Sequence, residues 1–217
     1  MVATPEFLPT RRLVVAGLGL VLARPDGAAA AGRARIVTML GDSITAGLGL
    51  PAADALPARL GEALRGLGVN AVVRAAGVSG DTSADGLARL DFSVQPDTEV
   101  CIVALGGNDL LQGVDPRVLH DNLRTIAVRL KARGMSVLLA GMRAPPVIGA
   151  AYAKEFDAVY PNLARAEHLT LYPDLLDGVA GDSRLNQKDA IHPNAAGVRV
   201  IARRLAPVVG RVLAARR

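Results

Sequence analysis

From residue 34 onward, short apolar runs alternate with longer stretches in which apolar residues recur every three or four positions. The short runs are 35–40, 69–75, 98–105, 135–141 and 169–172. Their lengths, and the turn residues that bound them, predict buried strands. Between the first two, residues 54–67 carry Leu56, Leu60, Ala63, Leu64 and Leu67 along one helical face. Residues 83–90 read as a short helix capped by Thr82 or Ser83. A long helix is predicted over 116–133, with Pro116 suited to its first turn and Gly134 just past its end. Residues 148–167 are mostly helical, with a kink or interruption at Pro161. The closing helix spans 193–216, with Val198, Ile201, Leu205, Val208, Val209 and Val212 along one side.

This alternation predicts an α/β fold with a parallel sheet and helices on both faces. In such folds ligands gather outside the carboxyl ends of the strands. Four polar segments fall on that rim. Gly41-Asp42-Ser43 follows the first strand, Ser79-Gly80-Asp81-Thr82 the second and Gly106-Gly107-Asn108-Asp109 the third. Asp189-Ala190-Ile191-His192 follows the fifth.

The 217 residues suffice for one domain, and only 3% are aromatic against 51% hydrophobic. The core is therefore expected to be Ala, Val, Leu and Ile, as buried parallel strands require. The net charge of +5 is dispersed, with no run of five like charges. A nucleic-acid partner would need a basic stripe with stacking aromatics, so none is expected. Cys101 stands alone inside an apolar run, which excludes an intramolecular disulfide or a cysteine metal cluster and suggests a core residue.

The first 31 residues are different. Arg11-Arg12 precede an apolar stretch of 11 residues, Leu13 to Ala23, and then Ala28-Ala29-Ala30-Ala31. A basic flank, a short apolar segment and a small-residue cleavage site predict an export signal over residues 1–31. The arginine pair resembles the twin-arginine signal. The stretch falls short of the ~20 residues that span a bilayer, although a retained anchor or an unstructured arm is the alternative. Residues 32–217 are then a single domain, exported to the periplasm or secreted, and expected to be a monomer without a membrane span.

A serine hydroxyl attacks only when a base takes its proton. His192 is the candidate base for Ser43, and Asp189, three residues earlier, can reach one ring nitrogen while the other faces the serine. Acyl transfer also needs donors for the developing oxyanion. The Ser43 N–H, the Gly80 N–H and the Asn108 side-chain amide are the candidates. His120 and His168 sit in helical patterns and read as solvated or capping residues. Leu110 and Leu111 follow the Asn108 turn, and Pro145 and Pro146 follow the fourth strand; these four are expected to line an acyl pocket. No metal or other cofactor is called for.

Jointly, Gly41-Asp42-Ser43, Gly80, Asn108 and Asp189 with His192 resemble the four blocks of the SGNH hydrolase (GDSL esterase) superfamily. The similarity covers residues 35–212. It is nearest to the bacterial thioesterase I, lysophospholipase and arylesterase group, through Ser79–Ser83 with Gly86–Leu90, Leu105–Asp109 and Asp189–Asn194. The resemblance implies a flavodoxin-like three-layer α/β/α sandwich with strand order 2-1-3-4-5. It implies Ser43 as nucleophile, His192 as base, Asp189 as its orienter, and Ser43, Gly80 and Asn108 as the oxyanion hole. The implied activity is hydrolysis of aryl and short- to medium-chain acyl esters, and also of thioesters or lysophospholipids, through an acyl-enzyme. A carbohydrate O-acetylesterase and a non-catalytic acyl-binding module remain as alternatives. Leu48-Gly49-Leu50 departs from the group, where relatives often carry an aromatic. The absence of Gly-x-Ser-x-Gly around Ser43 argues against an ordinary α/β-hydrolase.

Overall fold

The computed structural model describes Met1, Val2 and residues 33–216. The expected export segment thus lies, but for its first two residues, outside the described residues. Gly32–Arg217 forms a compact unit of its own.

The described strands are β1 (Arg35–Gly41), β2 (Ala71–Gly77), β3 (Val100–Ala104), β4 (Ser136–Ala140) and β5 (Thr170–Tyr172). They form one parallel sheet in the order β2-β1-β3-β4-β5. The helices are α1 (Ser43–Ala46), α2 (Leu56–Gly66), α3 (Ser83–Ala88), α4 (Leu90–Ser93), α5 (Gly107–Leu111), α6 (Pro116–Ala132), α7 (Ala150–Glu167) and α8 (Ala195–Ala215). α2 packs against α8, while α6 packs against α3 and α7. These two groups are the outer layers of the sandwich. Leu60 and Leu64 of α2, and Ile201, Leu205 and Val209 of α8, are fully buried, as are Leu119 and Ile126 of α6. Each such side chain contributes roughly 1.5–3 kcal/mol of apolar burial.

β3 is buried along its whole length, as a central parallel strand should be. Cys101 lies within it, and burial pushes its thiol up to about 12. It is a core residue with no accessible thiolate. No helix among the described residues is long and apolar enough to cross a membrane.

The register decides where the loops emerge. Gly41 pairs with Gly77 on one side and with Ala104 on the other, so β1, β2 and β3 end level. The chain then turns sharply at β1. A Cβ on Gly77 would come within 2.5 Å of the Ala46 amide, and one on Gly41 within 2.8 Å of the Ala104 carbonyl. Both glycines are needed for α1 to sit down on the strand ends.

Several boundaries depart from the sequence expectation. β2 starts at Ala71 instead of 69, because Gly68 (φ 74°) and Val69 close α2, with Val69 N–H donating to the Leu64 carbonyl at 3.0 Å. α2 begins at Leu56, since Ala52–Asp54 makes a separate 3-10 turn. α8 begins at Ala195 with Asn194 as its cap, so Pro193 lies outside its first turn. α7 continues as helix through Pro161, and His168 ends it in the left-handed region, with φ 54°.

Candidate active site

Three of the residues singled out in the sequence converge on one hydrogen-bonded line. Ser43 Oγ lies 2.8 Å from His192 Nε2. His192 Nδ1 lies 2.6 Å from Asp189 Oδ2. The partners are 149 positions apart in the chain. Ser43 is 8% exposed, at the first position of α1.

The Asp189–His192 turn is wound by its own carboxylate. Asp189 Oδ1 accepts from the Ile191 and His192 amides, both at 3.0 Å, leaving Oδ2 for the ring. The winding holds Ala190 at φ 60°, which costs a non-glycine residue about 1 kcal/mol. The His192 ring, and then those two amides, hold the Asp189 carboxyl down to about 2. It is therefore ionised wherever the imidazole needs a partner.

Asp42 has the opposite environment. Its Oδ1 caps α1 by accepting from the Ile44 amide at 3.0 Å. The carboxyl is 2% exposed, and burial pushes its pKa up to about 6 against the pull of that amide and of His192.

The candidate oxyanion donors arrive from three neighbouring loops. Among the described residues, neither the Ser43 nor the Gly80 amide donates to a protein acceptor. Asn108 Nδ2 donates one hydrogen to the Asp81 carbonyl at 2.9 Å, which leaves its second hydrogen for a ligand. The next residue, Asp109, is 1% exposed and accepts from the Ser83 amide at 2.8 Å and the Ser83 hydroxyl at 2.5 Å. Asn122 Nδ2 donates to the same hydroxyl at 3.0 Å. α5 is thereby tied to the start of α3, and Asn108 to the Gly80 loop.

Two further elements fix these loops. On α7, Tyr152, Phe156 and Tyr160 form an aromatic ladder, with ring centroids 6.2 and 5.8 Å apart. Tyr160 Oη donates to the Leu105 carbonyl at 3.1 Å, and Tyr152 Oη to the Val114 carbonyl at 2.8 Å. The ladder grips both ends of the loop that carries Asn108. Gln187 joins the serine side to the histidine side, its Nε2 donating to the Leu48 carbonyl at 2.8 Å and the Pro193 carbonyl at 3.1 Å.

Other expected residues are distributed differently. Leu110 is half-buried against the core, whereas Leu111 and Pro145 are exposed. The Pro146 side chain lies outside what is described. The loops bearing the four segments also expose Leu48, Val78 and Ile191, and the loop after β4 exposes Val147; none of these was assigned to the acyl pocket from the sequence. His120 pairs with Asp121 on α6, and His168 precedes β5 at the amino end of the sheet. Neither joins Ser43. Gln187 was not singled out, and Arg89 and Asn194, though inside the blocks that carry the resemblance, were given no role. Of these, only Asn194 carries a local signal, an asparagine just before a helical apolar face. The partners of the other two are largely main-chain carbonyls.

A model of the GDSL-like Lipase/Acylhydrolase family matches residues 39–200. Esterase TesA of Pseudomonas aeruginosa is 39% identical over 185 residues, covering 84% of this chain and 90% of that protein. Thioesterase 1/protease 1/lysophospholipase L1 of Escherichia coli is 38% identical over 165 residues, covering 76% of this chain and 78% of that one. The crystal structure of AlinE4, an SGNH-hydrolase family esterase, is 45% identical and superposes with a TM-score of 0.70 over 84% of this chain and 98% of its own. With a family match and relatives of this extent on a sheet of this order, the chain belongs to the GDSL-like lipase/acylhydrolase family and is an esterase.

Proposed function

We propose that the chain hydrolyses aryl and short- to medium-chain acyl esters through a covalent acyl-Ser43, with acyl thioesters and lysophospholipids as further substrates. The observation that carries this reading is the continuous Ser43–His192–Asp189 line, at 2.8 and 2.6 Å. As Ser43 Oγ bonds to the carbonyl carbon, its proton passes to His192 Nε2. Asp189 stays ionised and holds the imidazolium through Nδ1–H. The carbonyl oxygen, now an oxyanion, is received by the Ser43 and Gly80 amides and the Asn108 side chain. His192 returns the proton to the leaving alkoxide or thiolate as the bond to carbon breaks. Water repeats the sequence, giving its proton to His192, and frees the acid.

The range of leaving groups follows the names of the relatives, esterase and thioesterase/lysophospholipase. The acyl side is assigned to Leu110, Leu111, Pro145 and Pro146, supported by the apolar exposure of Leu111 and its neighbours on the rim. The test is Ser43→Ala against the parent on p-nitrophenyl esters of graded length. A fall of at least about 10³-fold in kcat is expected, together with loss of the acyl adduct seen by mass spectrometry after rapid quench. Turnover equal to the parent removes the serine mechanism. Truncating Leu111 should shift the chain-length profile; an unchanged profile removes the pocket assignment.

Residues 1–31 are proposed as the export signal and 32–217 as the exported, monomeric enzyme. Basic, apolar and small-residue zones in that order support this. Periplasmic extracts should yield a chain beginning near residue 32; recovery of the full-length chain from the cytoplasm alone overturns it. Light scattering of that chain reads the monomer directly.

A further inference from the structure

We propose that Arg89 is a positioning residue for the oxyanion hole. Its guanidinium is spent on four acceptors, three of them on the strand ends and loop that border the site and the fourth on α4. Nη2 donates to the Gly41 carbonyl at 2.9 Å, at the end of β1 and one residue before Asp42-Ser43. Nη1 donates to the Ala76 carbonyl at 2.9 Å near the end of β2, and to Ser93 Oγ at 2.9 Å. Nε donates to Asp81 Oδ2 at 2.5 Å. The pair is largely withdrawn from water, with side chains 19% and 11% exposed.

Asp81 is the link to the donors. It follows Gly80, whose φ of 91° holds the loop in a conformation that side chains disfavour. Its main-chain carbonyl accepts the Asn108 amide at 2.9 Å. One planar fork therefore sets the separation of the β1 and β2 ends, anchors the residue beside Gly80, and through the Asp81 carbonyl aims Asn108. All three oxyanion donors sit one or two residues from an Arg89 partner, or on one directly. Only a rigid guanidinium can serve these directions together; an ammonium supplies the charge without the fork. Oxyanion donors act by preorganisation, so a small displacement weakens the transition state more than the ground state.

This rests on reading the Ser43 amide, the Gly80 amide and Asn108 as oxyanion donors, and the experiment separates the two. Four variants of the full chain are compared on a p-nitrophenyl ester: Arg89→Lys, Arg89→Ala, Asp81→Asn and Asn108→Ala. Arg89→Lys should lower kcat about 10- to 100-fold, the loss that a misplacement near 1 Å brings, with KM within about twofold. Affinity for a boronic acid that forms a tetrahedral adduct on Ser43 should fall in step with kcat/KM. Added guanidinium should restore part of the Arg89→Ala rate and none of the Asn108→Ala rate. Asp81→Asn, which keeps the carbonyls and the size, should lower kcat in the same sense and less. It decides the matter should the Arg89 variants fail to fold.

If Asn108→Ala keeps the parent kcat, the oxyanion reading itself fails. If Asn108→Ala is slow while Asp81→Asn and any folded Arg89 variant hold kcat within twofold, Arg89 has no positioning role. A loss confined to KM, or a slow variant whose boronate affinity is unchanged, overturns the proposal as well.

Discussion

One carboxylate, Asp42, adjoins Ser43 in the chain and another, Asp189, bonds the His192 ring, and their surroundings push them in opposite directions. Asp189 is held down to about 2 by the imidazole and two amides, whereas burial raises Asp42 to about 6. For Asp42 the folded value lies above the usual 3.8, so the native state binds this proton more tightly than the unfolded chain. Its contribution to stability is fully present below about pH 4 and is lost as pH rises through 6, by roughly 3 kcal/mol. Asp189 works the other way: its contribution is present above pH 4 and lost as pH falls toward 2. Asp42→Asn keeps an oxygen to cap α1 and removes the titration. Urea unfolding from pH 4 to 7 should show the parent losing stability relative to this variant as pH rises. A flat difference between the two curves contradicts the burial argument. At the same scale, Asn108→Ala should lower kcat by about 10²–10³-fold, the usual loss for one oxyanion donor, as steady-state kinetics would measure.

The histidine is positioned by a helix end. Asn194 Oδ1 caps α8 by accepting from the Ala196 and Gly197 amides, and its Nδ2 donates to the Arg184 and Asn186 carbonyls. Asn194→Ala removes the cap and both donors, and should cost about 2 kcal/mol. Because His192 lies two residues upstream, kcat should fall too. Asn194→Asp retains the cap acceptor alone and should fall between. Thermal melts and turnover on the same three proteins check both effects. The helix itself was legible in the sequence, from Val198, Ile201, Leu205 and their companions. So was the meeting of Ser43, Asp189 and His192, because strand-end motifs are local; the strand order came only through the family resemblance, since which strands pair is not written locally. The short helices α1, α4 and α5 were not, since four or five residues carry no helical period. The start of β2 slipped because α2 closes on Val69, an apolar residue indistinguishable from strand. Arg89 stood within a block of the family resemblance, but its contacts were hidden for a related reason. Its acceptors include the carbonyls of Gly41 and Ala76, and a carbonyl leaves no mark on residue identity.

Over the whole molecule, aromatic residues are scarce: three Tyr, three Phe and no Trp. Half of them, Tyr152, Phe156 and Tyr160, stand on one ladder behind the Asn108 loop. The core elsewhere is aliphatic, with the sheet's inner strands supplied from residues 35–140. A chain of residues 32–217 should accordingly unfold in one transition with the parent kcat, seen by circular dichroism and by ester turnover. The Ser43–His192–Asp189 line has a further dependence on chain order. Ser43 follows the first strand, and His192, its proposed base, lies on the turn that precedes the last described helix. During synthesis, then, a growing chain would hold the proposed nucleophile long before His192 could reach it. Hydrolytic power should appear only when α8 docks. On refolding, ester turnover is expected to return after the bulk of the helical signal.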